Sequence, residues 1–324
     1  MSRKTITKNC LFVISLLIFC LIFSACLAVS PGVDKSGSYS DNSAKNSTHD
    51  FDKPKIVGKI TSDEITESSG IVASGCSENV FWTHNDSGGG TFLFAINGKG
   101  EKLGTWKVSG AQNKDWEDIA AFKDKNGECF LYVGDIGNNE RRKSEFTIYR
   151  LKEPTVSSAD KSSSKKNPQT TEAVQAIKFD YPDSAHDAEI LLVHPQTGDI
   201  YVLSKSLSQS SAVYKLAANY DLKKTNTLKK ITDFSVPAVP DGFLTGGDIS
   251  SDGKRVIISD YFNGYEIALP TDAKNFDEIW TQKPIVVDLG AREQGEAVCY
   301  SADGNSIFAT SEKKNSPLIE VERK

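Results

Sequence analysis

From residue 55 to its end this 324-residue chain repeats one pattern five times, and the repeat restricts the fold more than any other feature. Each unit opens on a polar or acidic strand start: Glu67-Ser68-Ser69-Gly70-Ile71, Trp116-Glu117-Asp118-Ile119-Ala120, Ala188-Glu189-Ile190-Leu191, Gly246-Gly247-Asp248-Ile249-Ser250 and Gly295-Glu296-Ala297-Val298. A second strand follows in each: Val80-Phe81-Trp82, Phe130-Leu131-Tyr132-Val133, Ile200-Tyr201-Val202-Leu203, Val256-Ile257-Ile258 and Ser306-Ile307-Phe308-Ala309. Turn signals such as Asn126-Gly127, Thr197-Gly198-Asp199, Asp252-Gly253 and Asp303-Gly304 separate the two. Short runs rich in Val, Ile, Phe and Tyr, broken by such turns and lacking a sustained helical period, make the chain all-β.

Unit starts at 69, 117, 189, 247 and 296 lie 48, 72, 58 and 49 residues apart. Four strands in roughly fifty residues is the signature of a β-propeller blade. The long spacing has a visible cause, a Ser/Lys/Pro/Thr-rich insertion at 153–172 between the third and fourth strands of the second unit, expected at the outer rim. The fifth unit ends after Leu318-Ile319-Glu320-Val321, one strand short, and Ile56-Val57-Gly58-Lys59-Ile60 ahead of the first unit can supply the missing one. The expectation is therefore a five-bladed β-propeller whose N-terminal strand closes the last blade, because closure removes exposed sheet edges. A six-bladed ring is the alternative and needs a further blade within 205–245.

Ahead of the repeat, Arg3, Lys4 and Lys8 precede an uncharged apolar run at 10–29, the layout of a secretory signal. Residues 1–25 read as a signal peptide or N-terminal anchor, 26–52 as a flexible tether poor in apolar residues, and 53–324 as the propeller domain. Phe23-Ser24-Ala25-Cys26 resembles a lipobox, with Phe in place of the more usual Leu, which makes Cys26 the candidate lipidation site. Ordinary cleavage after a small residue such as Ala28, or retention as a single span, are the other readings. Each places the folded part in the cell envelope or outside the cell, with membrane contact through the N-terminus only.

Loss of 1–25 removes three positive charges and no acid, taking the net charge from −5 to −8. An acidic chain argues against nucleic acid as a partner. No feature calls for a second subunit, so a monomer is expected. Of the six cysteines, Cys10 and Cys20 fall in the leader. Cys76 and Cys129 occupy equivalent places in the repeat, which allows a disulfide; free or buried thiols are the equal alternative, and no metal-type Cys/His spacing is present.

In a four-stranded blade the loop entering the first strand and the loop joining the second and third lie on one face. Ser69, Glu117, Glu189 and Glu296 thereby share one repeat position around the central channel. A second set, His84, Asn85, Asp86, Asp135, Asn138, Arg141, Lys205, Asp260 and Glu312, reaches the rim of the same mouth. Carboxylates at ~5 Å with an effective dielectric of about 20 repel by roughly 3 kcal/mol per pair. A cation offsets this, or else protons, backbone amides and ordered water do. Since every candidate ligand is an oxygen donor, the ion would be hard: Ca²⁺ outside the cell, with Mg²⁺ possible. Asn85, Asp86, Asn138, Arg141, Lys205 and Glu312 are the candidate ligand-binding residues; Asp135, Asp260 and His84 are the candidate catalytic acids and bases. Trp116 could stack a ligand ring, but core packing between blades is the favoured reading.

The order Ser69, Glu117, Glu189, Glu296 at innermost-strand starts resembles the calcium-activated nucleotidases, the apyrase family of five-bladed propellers. That resemblance implies a central Ca²⁺ held by these four residues; Gly247, with Asp248 beside it, departs from the family's Ser. Stretches such as Trp82-Thr83-His84-Asn85-Asp86-Ser87-Gly88, Asp115-Trp116-Glu117-Asp118-Ile119 and Val133-Gly134-Asp135-Ile136-Gly137-Asn138-Asn139 resemble a group of exported bacterial and archaeal propellers. More distantly the chain is similar to phytase-like and SMP-30-type propellers. No Gly-x-Ser-x-Gly elbow, His-Glu-x-x-His, phosphate loop, dinucleotide fingerprint or EF-hand loop occurs, which disfavours serine hydrolases, zinc peptidases, kinases and dehydrogenases. Two classes of function stay open: a calcium-dependent hydrolase of phosphate esters or nucleotides, and a non-catalytic propeller binding a small molecule, glycan or protein at the cell surface.

Overall fold

A computed structural model describes residues 50–140 and 142–324. The leader, most of the tether, Cys26 and Arg141 lie outside the described residues. Five sheets, each built on four antiparallel strands and joined in sequence, form a ring: the chain is a five-bladed β-propeller. Innermost strands are Ser68–Ala73, Trp116–Lys123, Ala188–Val193, Gly246–Ile249 and Gly295–Tyr300, for blades 1 to 5. The 205–245 region, where a sixth blade would have to lie, instead holds Ser211–Leu216 and Lys229–Phe234, the third and outer strands of blade 3.

Alternation of side chains along each inner strand decides how the blades pack. On blade 3, Leu191 and Val193 face blade 2, where they join Ala120, Tyr132 and Ile148. Ile190 and Leu192 point the other way, to Ile249, Val256 and Ile258 of blade 4. Each of the five blade interfaces has its own apolar cluster of this kind, including the closing one, where Ala297, Cys299, Phe308 and Leu318 meet Ile71, Phe81 and Phe94. Turns between first and second strands carry a left-handed residue at matching places: Asn79, Gly127, Gly198, Gly253 and Gly304. Glycine recurs because positive φ is strained for other residues.

Closure is as expected. Lys55–Lys59 pairs antiparallel with Pro317–Glu322 and forms the outer strand of blade 5. The insertion does more than loop out. It links Phe146–Lys152 to Gln175–Asp180 of blade 2, and on the way Gln169–Ala173 pairs in parallel with Lys102–Ser109, giving blade 1 a fifth strand. A disulfide joins Cys76 of blade 1 to Cys129 of blade 2, with Cα atoms 6.0 Å apart, while Cys299 is free and buried.

Candidate functional site

Backbone irregularity builds the mouth. At the start of the inner strand the pairing register shifts across Ser68/Ile71, Trp116/Asp118, Ala188/Ile190 and Gly295/Val298, so Ser69, Glu117, Glu189 and Glu296 each sit in a bulge. A bulge re-aims the side chain it carries. Blade 4 pairs regularly from Gly246 to Ile249 and has no such residue. Its start is pressed onto the next blade: an added Cβ at Gly246 would lie 2.1 Å from the Glu296 carbonyl oxygen.

The three glutamates are buried, at 3 to 5% exposure, and adjoin one another around the axis. Burial, then Glu189 beside it, raises the Glu117 carboxyl well above the usual range. Burial lifts Glu189 to about 7 against the pull of Lys205, whose Nζ is 3.1 Å from Glu189 Oε1. Glu296 is raised by burial and by Glu312, and Gln294 Nε2 donates to both carboxylates. Ser69 Oγ donates to the Glu117 carbonyl oxygen at 2.6 Å. Lys205 is the one lysine set among these acids: Glu189, Tyr261 and Glu296 keep it charged against the cost of burial, and its Nζ lies over the rings of Phe243 and Tyr261 at 4.7 and 5.3 Å.

The tightest oxygen cluster is beside this ring. Carboxylate oxygens of Asp86, Asp115 and Glu117 lie within 4.8 Å of one another. Burial raises Asp86, and burial with Asp86 and Asp187 lifts Asp115 to about 6 against the pull of Lys143. Space for the cluster comes from Gly137: a Cβ there would stand 1.9 Å from Glu117 Oε1 and 2.7 Å from Asp115 Oδ2. An oxygen-only donor set around a position kept clear of side chain fits a hard cation, with Asp86, Asp115 and Glu117 as its holders and Glu189 next in line.

Other expected residues have local duties. His84 is fully buried, edge-on to Trp116 at 5.7 Å, with Nδ1 3.1 Å from the Asn85 carbonyl oxygen; burial lowers its pKa to about 4, so the imidazole is neutral. Trp116 is core. Asn85 accepts from the amides of Thr66 and Glu67 and donates to the Glu64 carbonyl, tying down that loop. Asp135 pairs with Lys143 Nζ at 2.9 Å and accepts from two backbone amides. Asn138 holds Lys143 through both its amide groups. Asp260 accepts from Phe262 N, Asn263 N and Tyr265 Oη, which closes its turn. Glu312 remains at the mouth, raised by burial and facing Asp86 and Glu189. Arg141 lies outside the described residues.

Asp115, Asp187, Gly137, Phe243 and Tyr261 were not singled out from the sequence. A signal existed for two of them: Asp115 and Asp187 each stand two residues before the strand-start acids Glu117 and Glu189, a spacing that puts both side chains of a pair on one side of an extended chain. Asp187 adds its charge to Asp86, Asp115 and Glu189.

No protein-family model matches the chain, and no curated protein matches it in sequence. Among solved structures it is similar to a luciferin-regenerating enzyme, at 11% identity and a TM-score of 0.42, over 82% of this chain and 94% of that one. So low a similarity says nothing about the mouth. Likeness to the calcium-activated nucleotidases and to the exported propellers rests on the residues quoted above.

Proposed function

We propose that this chain is an exported propeller, tethered to the membrane through its N-terminus, that binds Ca²⁺ in its axial mouth and hydrolyses phosphate esters or nucleotides there. The observation that supports it is the cluster of Asp86, Asp115 and Glu117 around the clearing left by Gly137, continued by Glu189 and Glu296 around the axis. Carboxyls raised by burial and mutual repulsion need a proton or a cation, and Lys205 and Lys143, the latter shared with Asp135, leave them raised. A bound divalent ion would supply charge for a phosphate and orientation for water. With Asp86, Asp115 and Glu117 committed to the ion, Glu312, which faces Asp86 and Glu189 at the mouth and is raised by burial, is the chain's own group suited to take a proton from water. Lys205 would meet the phosphate on the opposite side. The Cys76–Cys129 bond suits an oxidising compartment outside the cytosol.

One observation favours the non-catalytic reading. Phe243 and Tyr261 flank Lys205, and Leu207, Val239 and Phe262 are exposed on the adjoining loops, a surface suited to a sugar ring or a protein. Metal-free protein, given Ca²⁺ or Mg²⁺ separately, separates the two. Calcium-dependent phosphate release from p-nitrophenyl phosphate or nucleoside triphosphates, absent in Glu117→Gln, is expected of the hydrolase. Calcium binding with no turnover on either, together with capture of glycans, would make it a binding module. No uptake of either ion would end the cation reading.

A further inference from the structure

At the far end of the axis, where the inner strands finish, a cavity of about 310 Å³ opens among segments of all five blades, including Ala73, Phe122, Val193, Asp248 and Tyr300. This is within the size of small-molecule sites. Its blade 1 wall is pinned. The Cys76–Cys129 disulfide closes beside Gly75, Gly75 N donates to Glu153 Oε2 at 3.2 Å, and Ser74 Oγ donates to the same carboxylate, which Trp82 Nε1 also meets at 2.9 Å. The wall is thus preorganised, and a ligand need not order it.

Asp248 is the one carboxylate in the lining. Its Oδ1 accepts from Ile249 N at 2.8 Å and its Oδ2 from Tyr300 N at 3.0 Å, and each oxygen keeps capacity for one more donor. Titratable groups facing it are Asp118 of blade 2 and the thiol of Cys299 of blade 5. The lining residues of blades 1 and 3 carry no titratable side chain; His194, between Val193 and Pro195, packs its ring on Phe276, and Lys123 stands exposed at the rim. No cation acts on Asp248, and burial raises its carboxyl to about 7.

We propose that this cavity is a second binding site, separate from the acidic mouth, for a small organic ammonium whose nitrogen meets Asp248 and whose apolar body lies against Val72, Val193 and Ile249. A bare divalent ion is the wrong guest, because a single carboxylate among serine hydroxyls and aliphatic side chains, with Lys123 at the rim, brings too little negative charge to strip it of water. A neutral apolar guest is wrong too, since it would leave a buried carboxylate facing hydrocarbon.

Benzylamine, protonated throughout the range used, and its uncharged isostere benzyl alcohol test this by NMR titration of the full chain at pH 8 and pH 5. Benzylammonium is expected to saturate at pH 8 and to bind at least tenfold tighter than the alcohol. Its affinity should fall tenfold or more at pH 5, where Asp248 is protonated. Ala73→Leu, which fills the cavity and leaves the carboxylate intact, should abolish binding of both. Asp248→Asn should remove the preference for the ammonium; if that variant fails to fold, Ala73→Leu and the pH pair decide. Glu117→Gln should leave the affinity unchanged, which separates this site from the mouth. Absence of saturable binding, undiminished binding to Ala73→Leu, or loss in Glu117→Gln would overturn the proposal.

Discussion

Gly137 and Glu117 carry the site at the scale of single residues. The backbone at Gly137 is not in the left-handed region, so alanine meets no conformational strain there; what it meets is Glu117 Oε1 at 1.9 Å and the Asp115 carboxylate. Gly137→Ala should therefore keep the fold and displace Glu117, and the rise in melting temperature on adding Ca²⁺ should shrink by most of its size. Glu117→Gln acts through charge instead of shape. It removes a carboxylate that burial and Glu189 hold well above its normal pKa, so the metal-free protein should gain stability at pH 8 while the response to Ca²⁺ disappears. Urea unfolding with and without Ca²⁺ checks both, and an unchanged calcium response in either variant would remove Glu117 from the cation's surroundings.

Elements, rather than residues, decide where those side chains go. Four of five inner strands begin with a bulge, and the strand without one is the strand without a candidate ligand. Between elements, Asp118 accepts from Leu191 N at 3.0 Å and Asp248 from Tyr300 N at 3.0 Å, so an aspartate of blade 2 and its counterpart on blade 4 each lock the next blade's inner strand. The Cys76–Cys129 bond ties blade 1 to blade 2 across a sequence separation of 53. A loop of that size is worth about 4 kcal/mol in chain entropy. The Cys76→Ser/Cys129→Ser double variant should lose about this much in guanidinium unfolding, and reducing agent should do the same to the native chain. A change within error in both experiments would show that the bond does not form.

For the molecule as a whole, closure and charge set stability. Lys55–Lys59 covers the edge of Pro317–Glu322, and Phe51 and Ile60 beside it are buried. Deleting 50–60 should leave an unpaired edge and promote aggregation, read by size exclusion. The pH response follows from the axial acids. Asp115, at about 6, and Glu189 and Asp248, at about 7, bind their protons more tightly folded than unfolded, as do Glu117, Asp118 and Glu296. Their cost is absent below the unfolded values near 4 and complete above the folded ones. His84 acts oppositely: lowered to about 4, it favours folding progressively as pH rises to 6.5, and His194 is lowered too. With Asp86 and Glu312, also raised by burial, eight acids outweigh two histidines. Metal-free protein should therefore melt several degrees lower at pH 8 than at pH 5, and Ca²⁺ should narrow the gap; a melting temperature that rises over this interval would contradict the ordering of these groups.

The repeat of strand starts, the turn residues at 127, 198, 253 and 304 and the unpaired strand at each end determined the five-bladed ring and its closure by sequence alone. They could, because period-2 patterning and turn chemistry are local and because an incomplete last unit has one partner available. Sequence also grouped Ser69, Glu117, Glu189 and Glu296, since equivalent positions in a ring converge on its axis. Tertiary structure decided the rest. Four bulges, invisible in composition, aim those side chains; Asn85, Asp135 and Asp260 are spent on neighbouring backbone and side-chain groups that only the folded loops bring near. Asp86 reaches Asp115 and Glu117 across a blade boundary. The insertion gives its strand to blade 1 instead of looping at the rim of blade 2. A pattern with period two says which face of a strand a residue occupies; which carboxylate stays free depends on donors from other blades, and those are set by packing.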